Sequence, residues 1–204
     1  MLPNLGISIP SNQFLNISTM NIPISKLSRT RNKSKYIDEV FKNICLTTTS
    51  KRLKFEQSFV QYVDSQYSHA INSCNEALHY AVKSAGIGSG DEVLVPTHTF
   101  TSSVDVLLEI GADPVFFDVE CNTGLVTPSI LIKVLKDHPN VKAIILVDFK
   151  MQTEQMKIHG NEGVLDLCKK YNLKIIKDAE NNFQKMIGDQ ITGVSFGETI
   201  NLIL

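Results

Sequence analysis

Asp178 is the residue whose type and position in this sequence most clearly indicate chemistry, because it follows the short apolar stretch at 173–177. A strand over that stretch would carry a carboxylate at its C-terminal end, where open α/β sheets bind their ligands. Burying an unpaired charge is costly, so this carboxylate needs a partner, such as a protonated pyridine nitrogen. The alternative is an aspartate that caps the following loop. Asp118 and Asp148 also follow apolar stretches, so position alone does not select Asp178.

A helix that starts near Asn75 is a second candidate, within the run N-S-C-N-E-A-L-H at 72–79. The N–H groups and the dipole of a helix N-terminus stabilise a bound phosphate. The alternative is an ordinary Asn or Ser N-cap with no ligand, and the sequence alone favours that alternative.

The aromatic residue Phe100 follows a predicted strand at 92–95 and the run Pro-Thr-His-Thr. An aromatic side chain at the C-terminal edge of a strand could stack on a flat ring, although a core aromatic that opens the next helix is the simpler interpretation. His98 could act as an acid or a base, and a surface or capped histidine is again simpler.

The glycine-rich run at 86–91 looks like a phosphate-binding loop but has the wrong surroundings. A dinucleotide fingerprint follows a strand and opens a helix, whereas this run follows a predicted helix and precedes a strand. Gly86 or Gly88 is therefore predicted to end a helix in the left-handed conformation. A generic nucleotide-binding protein is accordingly the function with the least support.

The elements that must position these residues alternate along the chain. Apolar, β-branched stretches predict strands at 67–72, 92–95, 114–119, 142–147 and 173–177. Helical patterns occur at 37–45, 51–65, 76–86, 100–110, 128–137 and 161–171. Thr127 and Pro128 are a suitable N-cap and first turn, and the closing run at 200–204 is strand-like. This alternation predicts an α/β fold with a mostly parallel sheet and helices on both faces.

The composition indicates a globular protein with an irregular extension at residues 1–20. Of the 204 residues 43% are hydrophobic and 20% are charged, which allows a sizeable core. The formal net charge of −1 gives no electrostatic basis for binding nucleic acid or an anionic membrane. No apolar run approaches the roughly 20 residues that span a bilayer. Four scattered cysteines without a C-x-x-C pair indicate free thiols, no metal site and a cytoplasmic location.

Several segments, taken in order, resemble the DegT/DnrJ/StrS family of sugar aminotransferases, which are pyridoxal-phosphate enzymes of fold type I. Residues 72–79 are similar to the phosphate-binding turn N-S-C-T-x-A-L-H, and 88–100 are similar to G-x-G-D-E-V-x-x-P followed by T-F. Residues 111–119 are similar to G-A-x-P-V-F-x-D-V, and K-D-A at 177–179 stands where E-D-A is usual. The resemblance implies that residues 21–204 are the N-terminal part of the large domain, with the small domain absent.

The resemblance also implies a reaction. A lysine carries pyridoxal phosphate as a Schiff base, an amino-acid donor gives its amino group to the cofactor, and a nucleotide-linked keto sugar receives it. By this resemblance Asp178 keeps the pyridine nitrogen protonated and Phe100 stacks on the ring. The phosphate is held at the turn of Cys74, Asn75 and Glu76. Dimers of such enzymes share their active sites, so the resemblance implies a homodimer.

The sequence departs from the family pattern at several positions. Asn75 replaces the threonine of the phosphate turn, and Asn181 replaces the Gln, Glu or His that is usual three residues after the aspartate. Met151 replaces a glycine, where a side chain is sterically unfavourable. Lys177 replaces a carboxylate.

The family's Schiff-base lysine, within S-F-x-x-x-K, has no counterpart at a matching position. Lys185 is the one lysine that follows Asp178 in the 204 residues, and it comes too early. We therefore expect a truncated chain that has no Schiff-base lysine, binds the cofactor weakly or not at all, and is inactive alone. The alternative function is a non-catalytic remnant or partner subunit.

Overall fold

The computed structural model describes residues 32–42, 50–63, 65–147 and 163–180, and it gives the backbone of short strands at 186–187, 190–191 and 200–202. Contacts divide the chain into two units, Met1–Thr49 and Ser50–Leu204. The first unit contains helix α1 (Lys33–Phe41), close to the helix predicted at 37–45. The predicted boundary at residue 20 lies outside the described residues and stays a prediction.

The second unit alternates helices and strands, as the sequence predicts. Its elements are α2 (Ser50–Val63), α3 (Cys74–Ser84), β1 (Glu92–Pro96), α4 (Ser102–Glu109), β2 (Asp113–Phe117), α5 (Pro128–Asp137), β3 (Ala143–Val147), α6 (Val164–Lys170), β4 (Lys174–Asp178), β5 (Met186–Ile187), β6 (Gln190–Ile191) and β7 (Ile200–Leu202). The predicted bounds of α2 to α6 and of β1 to β4 agree with these to within three residues. The strand-like closing run contains β7.

Five of the described strands form one parallel sheet in the order β2-β1-β3-β4-β7. The short strands β5 and β6 form a separate antiparallel pair. Parallel neighbours require crossover connections, and helices provide them between β1, β2, β3 and β4. The predicted α/β class, with a mostly parallel sheet, is confirmed.

Two apolar cores lie on opposite faces of the sheet, because successive side chains of a strand point to opposite sides. Ala143, Ile145 and Val147 of β3 pack with α3 and α4 in one core. Ile144 and Leu146 pack with α5 and α6 in the other. The predicted helices on both faces are therefore confirmed.

The same alternation in β4 fixes the side of the sheet to which the candidate carboxylate points. Ile176 belongs to the core of α3 and α4, and Ile175 belongs to the core of α5 and α6. Asp178 lies two residues after Ile176 and so points to the α3–α4 side. Lys177, which is also buried, points to the opposite side.

Helix ends follow the predicted chemistry at two positions. Gly86 has a φ of 75°, and its N–H donates to the Lys83 carbonyl while the Ile87 N–H donates to the Val82 carbonyl. This is the Schellman arrangement, which suits glycine because the left-handed conformation strains other residues. The Thr127 hydroxyl accepts a hydrogen bond from the Ile130 N–H at the start of α5.

The turn before β1 is closed by its own aspartate. Asp91 accepts a hydrogen bond from the Gly88 N–H at 3.0 Å and pairs with the Lys142 ammonium at 2.5 Å. These two contacts, the Lys142 contact foremost, lower the pKa of Asp91 below its ordinary value. The Gly88 N–H is thus bonded within the turn, which agrees with a structural turn and not a phosphate loop.

The predicted strand at 67–72 is wrong, because this segment is irregular. Its side chains are exposed or half-buried, and the Ala70 N–H donates to the side chain of Glu56 at 2.9 Å instead of to a neighbouring strand. A short alternating sequence forms a strand only where a partner strand is available to pair with it. The run into α3 is therefore a loop fastened to α2.

Within the described residues, the helices are all too short or too polar to cross a lipid bilayer.

Candidate functional site

The carboxyl edge of the sheet brings together the end of β4, the segment after β1 and the start of α3. Asp178 ends β4 with only 5% of its surface exposed. Cys74 opens α3, and its thiol lies within 4.8 Å of a carboxylate oxygen of Asp178. The family resemblance implies that this strand end and this helix start lie side by side, because both would contact one cofactor, and in the structure they are neighbours.

Hydrogen bonds fix both oxygens of the Asp178 carboxylate. Oδ1 accepts from the Glu180 N–H at 3.4 Å, which is the loop-capping role that the sequence analysis kept as an alternative. Oδ2 accepts from the hydroxyl of Ser103, in the first turn of α4, also at 3.4 Å. The Thr99 hydroxyl donates in turn to the Ser103 oxygen at 2.8 Å. Asp178 therefore both caps its loop and joins a buried hydroxyl chain.

Glu180 adds a second carboxylate to the site. One ligand-type atom each of Cys74, Asp178 and Glu180 lies within 4.8 Å of the other two. Burial, which is the largest cause, the negative charges of Asp178 and Glu180, and a hydrogen bond to Glu180 together raise the pKa of the Cys74 thiol to about 12. A thiol and two carboxylates at this spacing could ligate a metal ion, which the sequence analysis did not foresee.

The N-terminus of α3 carries an ordinary serine cap. The Ser73 hydroxyl accepts a hydrogen bond from the Glu76 N–H at 3.3 Å, as the simpler interpretation predicts. Cys74 is half-buried, whereas Asn75 and Glu76 are exposed. This helix end is thus open to solvent beside Asp178, where an anion could approach its N–H groups.

Phe100 is not a core aromatic, because 70% of its surface is exposed. Its ring lies in the segment between β1 and α4, next to Thr99 of the hydroxyl chain. His98 is exposed in the same segment, and its Nδ1 lies 3.3 Å from the Gly124 carbonyl oxygen. A Cβ atom at Gly124 would stand 2.8 Å from that nitrogen, so this contact requires glycine.

Some predicted residues lie outside the described part of the chain. They are Asn181, Lys185, Asp148 and Met151. Their proposed roles stay predictions.

Ser103, Thr99 and Glu180 were not predicted as site residues from the sequence. A signal existed for Ser103 and Thr99, since hydroxyl residues in the first turn after a strand lie at the ligand-binding edge of a sheet. Glu180 follows Asp178 by two residues and could have been considered for the same reason. Ser103 and Asp178 are separated by 75 positions in the sequence, and no local pattern pairs them.

The loop that leads into α3 is held by Glu56 of α2. The carboxylate accepts hydrogen bonds from the Ala70 N–H at 2.9 Å and from Arg52 at 2.6 Å. The hydrogen bond from the Ala70 N–H, which is the largest cause, and the charge of Arg52 lower the pKa of Glu56 below its ordinary value of 4.5. A carboxylate with a lowered pKa stabilises the fold above the unfolded pKa, and that stabilisation is lost as the pH falls through the folded value.

We expect Glu56→Gln to lower the thermal midpoint by roughly 2 °C at pH 7, because an amide accepts these bonds less strongly. The gap between the variant and the native chain should narrow at pH 3.5, because the stabilisation from this carboxylate is lost progressively once the pH falls below the ordinary pKa of 4.5. Thermal unfolding followed by circular dichroism at the two pH values measures this difference in midpoint. Arg52→Gln should lower the midpoint by less than Glu56→Gln does. An equal gap at both pH values would contradict the role assigned to the charge.

Comparison with known proteins places this chain among aminotransferases. A model of the DegT/DnrJ/EryC1/StrS aminotransferase family matches residues 28–199. The spore coat polysaccharide biosynthesis protein SpsC of Bacillus subtilis (strain 168) is 32% identical over 173 residues, which cover 81% of this chain and 43% of that protein.

Solved structures share the same fold. The aminotransferase from Psychrobacter cryohalolentis is 31% identical, with a TM-score of 0.64 over 78% of this chain and 39% of that one. GDP-4-keto-6-deoxymannose-3-dehydratase is 19% identical, with a TM-score of 0.70 over 85% of this chain and 45% of that one, and it shows the fold alone. The chain spans less than half the length of these relatives. Since the family model covers most of its residues, the chain belongs to the DegT/DnrJ/EryC1/StrS aminotransferase family, as the sequence resemblance predicts.

Proposed function

We propose that this chain supplies the cofactor-binding edge of a pyridoxal-phosphate-dependent aminotransferase that acts on a nucleotide-linked keto sugar. The observation that carries the proposal is Asp178, a buried carboxylate at the carboxyl end of a parallel strand, beside an open helix N-terminus. A ligand with a basic ring nitrogen and a phosphate could bind here, with the carboxylate paired to the protonated nitrogen and the helix N-terminus binding the phosphate.

Two groups at this edge of the sheet favour binding of pyridoxal phosphate, and one group opposes it. The Asp178 carboxylate suits a protonated ring nitrogen, and the exposed start of α3 suits a phosphate. Glu180 opposes phosphate binding, because its negative charge lies within 4.8 Å of the Cys74 thiol at that helix start. Asp178 and the start of α3 therefore support cofactor binding. Because of the charge on Glu180, we expect this binding to be weak.

Each of these residues has a distinct task in the proposal. When bound, pyridoxal phosphate supplies an electron sink for the carbanion that forms during amino transfer. Asp178 holds the proton on the ring nitrogen, and Phe100 covers one ring face against water. The N–H groups of Cys74 and Asn75 bind the phosphate. Asn181 is proposed to contact the cofactor as well, from the family pattern.

The substrate class that we propose is supported by the family and by the similarity to SpsC, whose name refers to spore coat polysaccharide biosynthesis. We propose a nucleotide-linked keto sugar as amino acceptor, an amino acid as donor and a homodimer as the assembly. A cytoplasmic location is part of the proposal, since Cys74, Cys121 and Cys168 are free thiols.

A second candidate function is a non-catalytic partner subunit with little affinity for the cofactor. Glu180 favours it, because a carboxylate beside the phosphate turn repels a phosphate dianion. The substitutions at Asn75 and Lys177 and the position of Lys185 point the same way.

The proposal is tested with pyridoxamine phosphate, which needs no lysine for attachment. Asp178→Asn should weaken its binding by about 10- to 100-fold, because a charged hydrogen bond is lost. Asp118→Asn is the matched control, since Asp118 is an exposed aspartate just after another strand, β2. Isothermal titration gives the dissociation constants, and equal affinities of the two variants would refute the assigned site.

Borohydride reduction tests the expectation that this polypeptide forms no Schiff base with Lys185 and is inactive alone. We expect the 204-residue polypeptide, treated with pyridoxal phosphate and reduced, to carry no stoichiometric label on Lys185 and to show no turnover with glutamate and a keto sugar. Loss of a general acid–base group alone costs about 10²–10⁴-fold in rate. Peptide mass mapping that finds full labelling of Lys185, together with turnover, would overturn this expectation.

A further inference from the structure

The geometry points to Ser103 as a positioning residue for Asp178, with Thr99 as the hydroxyl that orients Ser103. This inference rests on the proposed function, because it assigns the two residues to the carboxylate that would hold the ring nitrogen. Neither residue touches the reacting atoms in this assignment. They act through Asp178.

Burial makes the contact between Ser103 and Asp178 specific. Ser103 is fully buried and Asp178 is 5% exposed, so water competes little for either group. A buried carboxylate needs donors, and the Ser103 hydroxyl supplies one to Oδ2 across a separation of 75 residues. Ser103 is thus one of the groups that make burial of this charge tolerable.

Thr99 decides which way the Ser103 proton points. A serine hydroxyl has one proton to donate and accepts at its lone pairs. The Thr99 hydroxyl donates to the Ser103 oxygen at 2.8 Å, so the Ser103 proton is directed to Asp178. Charge on the carboxylate strengthens both bonds of such a chain.

The chain also connects two proposed cofactor contacts. Thr99 immediately precedes Phe100, so the segment that carries the aromatic ring is fastened to the carboxylate. The Glu180 N–H donates to the other oxygen of Asp178 at 3.4 Å, so both oxygens of the carboxylate have a donor. Groups held this way bind a ligand without first losing rotational freedom.

The test uses three variants of the 204-residue chain. Ser103→Ala removes the donor to Asp178, and Thr99→Val removes the orienting hydroxyl with little change of shape. Ser102→Ala is the matched control, because Ser102 is a buried serine of the same helix turn that lies outside the hydroxyl chain. Titration with pyridoxamine phosphate, the ¹⁵N signal of its labelled ring nitrogen and the carboxyl ¹³C signal of Asp178 in the cofactor-free chain are the readouts.

Ser103→Ala should weaken binding by about 10-fold and reduce the protonated fraction of the ring nitrogen, and Thr99→Val should weaken it by about 3-fold. Both should move the Asp178 ¹³C signal at pH 7, whereas Ser102→Ala should leave every readout unchanged. The inference is overturned if Ser103→Ala and Thr99→Val match Ser102→Ala.

The two levels of the proposal fail separately. If no chain binds pyridoxamine phosphate but the Asp178 signal still moves in Ser103→Ala and Thr99→Val, positioning is supported and the cofactor proposal fails. If Ser103→Ala does not fold, the Asp178 signal of Thr99→Val tests the positioning role, because valine keeps the shape of the native side chain. An unmoved Asp178 signal in that variant would refute the positioning role.

Discussion

Iodoacetamide at pH 8 is expected to modify Cys74 about 50-fold more slowly than an ordinary cysteine thiol. The pKa of the Cys74 thiol is raised from 9.0 to about 12, which lowers the thiolate fraction at this pH by about 10³-fold. A more basic thiolate is a better nucleophile, so each Cys74 thiolate reacts about 20-fold faster than an ordinary one, and the net rate falls by about 50-fold. Quenched time courses with peptide mass mapping measure the rate, and the exposed Cys121 serves as an internal reference.

Variants of the two carboxylates test the cause of this slow reaction. Glu180→Gln and Asp178→Asn each remove a negative charge beside Cys74, so each should lower the thiol pKa and speed the modification. Cys168, whose pKa burial also raises to about 12, lies in α6 and should not respond. Native Cys74 reacting as fast as Cys121, or variants without effect, would contradict the arrangement of the Cys74, Asp178 and Glu180 side chains.

Ile145→Ala should lower the free energy of unfolding by about 3 kcal/mol, which is roughly a 10²-fold change in the ratio of folded to unfolded chains. Ile145 is fully buried in β3, the central strand, and packs in the core of α3 and α4. The substitution removes its apolar contacts and leaves a cavity that surrounding strands cannot close.

Urea unfolding followed by circular dichroism measures this loss. Leu108→Ala is the matched control, because Leu108 lies in α4 with 60% of its surface exposed and should cost less than about 0.5 kcal/mol. A loss below about 1 kcal/mol for Ile145→Ala would mean that the core is less closely packed than the structure shows.

The strands of the sheet could be predicted where the sequence forces burial on both faces. Residues 143–147 read Ala-Ile-Ile-Leu-Val, and all five side chains are buried. A continuous apolar run of this length has few alternatives to a central parallel strand. The segment at 67–72 is less apolar, and the sequence does not show that Glu56 binds the Ala70 N–H. The strand predicted at 67–72 was therefore wrong because of a side chain that lies outside that segment.

The candidate site could be predicted in outline but not in its supporting contacts. Asp178 was identifiable because a polar residue ends an apolar strand, and its neighbour Cys74 followed from the family order of segments. The pairing of Ser103 with Asp178 depends on how elements distant in the sequence pack in three dimensions, which no local pattern encodes. The exposure of Phe100 likewise depends on what packs over it.

The strand order has a consequence for how this protein family can change. The chain leaves β1 through α4 on one face of the sheet, and it reaches β3 through α5 on the other face. The direction of winding therefore reverses between β1 and β3, and such a reversal opens a crevice at the carboxyl edge. This crevice is a product of topology and not of any one side chain. A replacement such as Asn75, at the start of α3, can alter what the crevice accepts without removing the crevice, because the strand order stays the same.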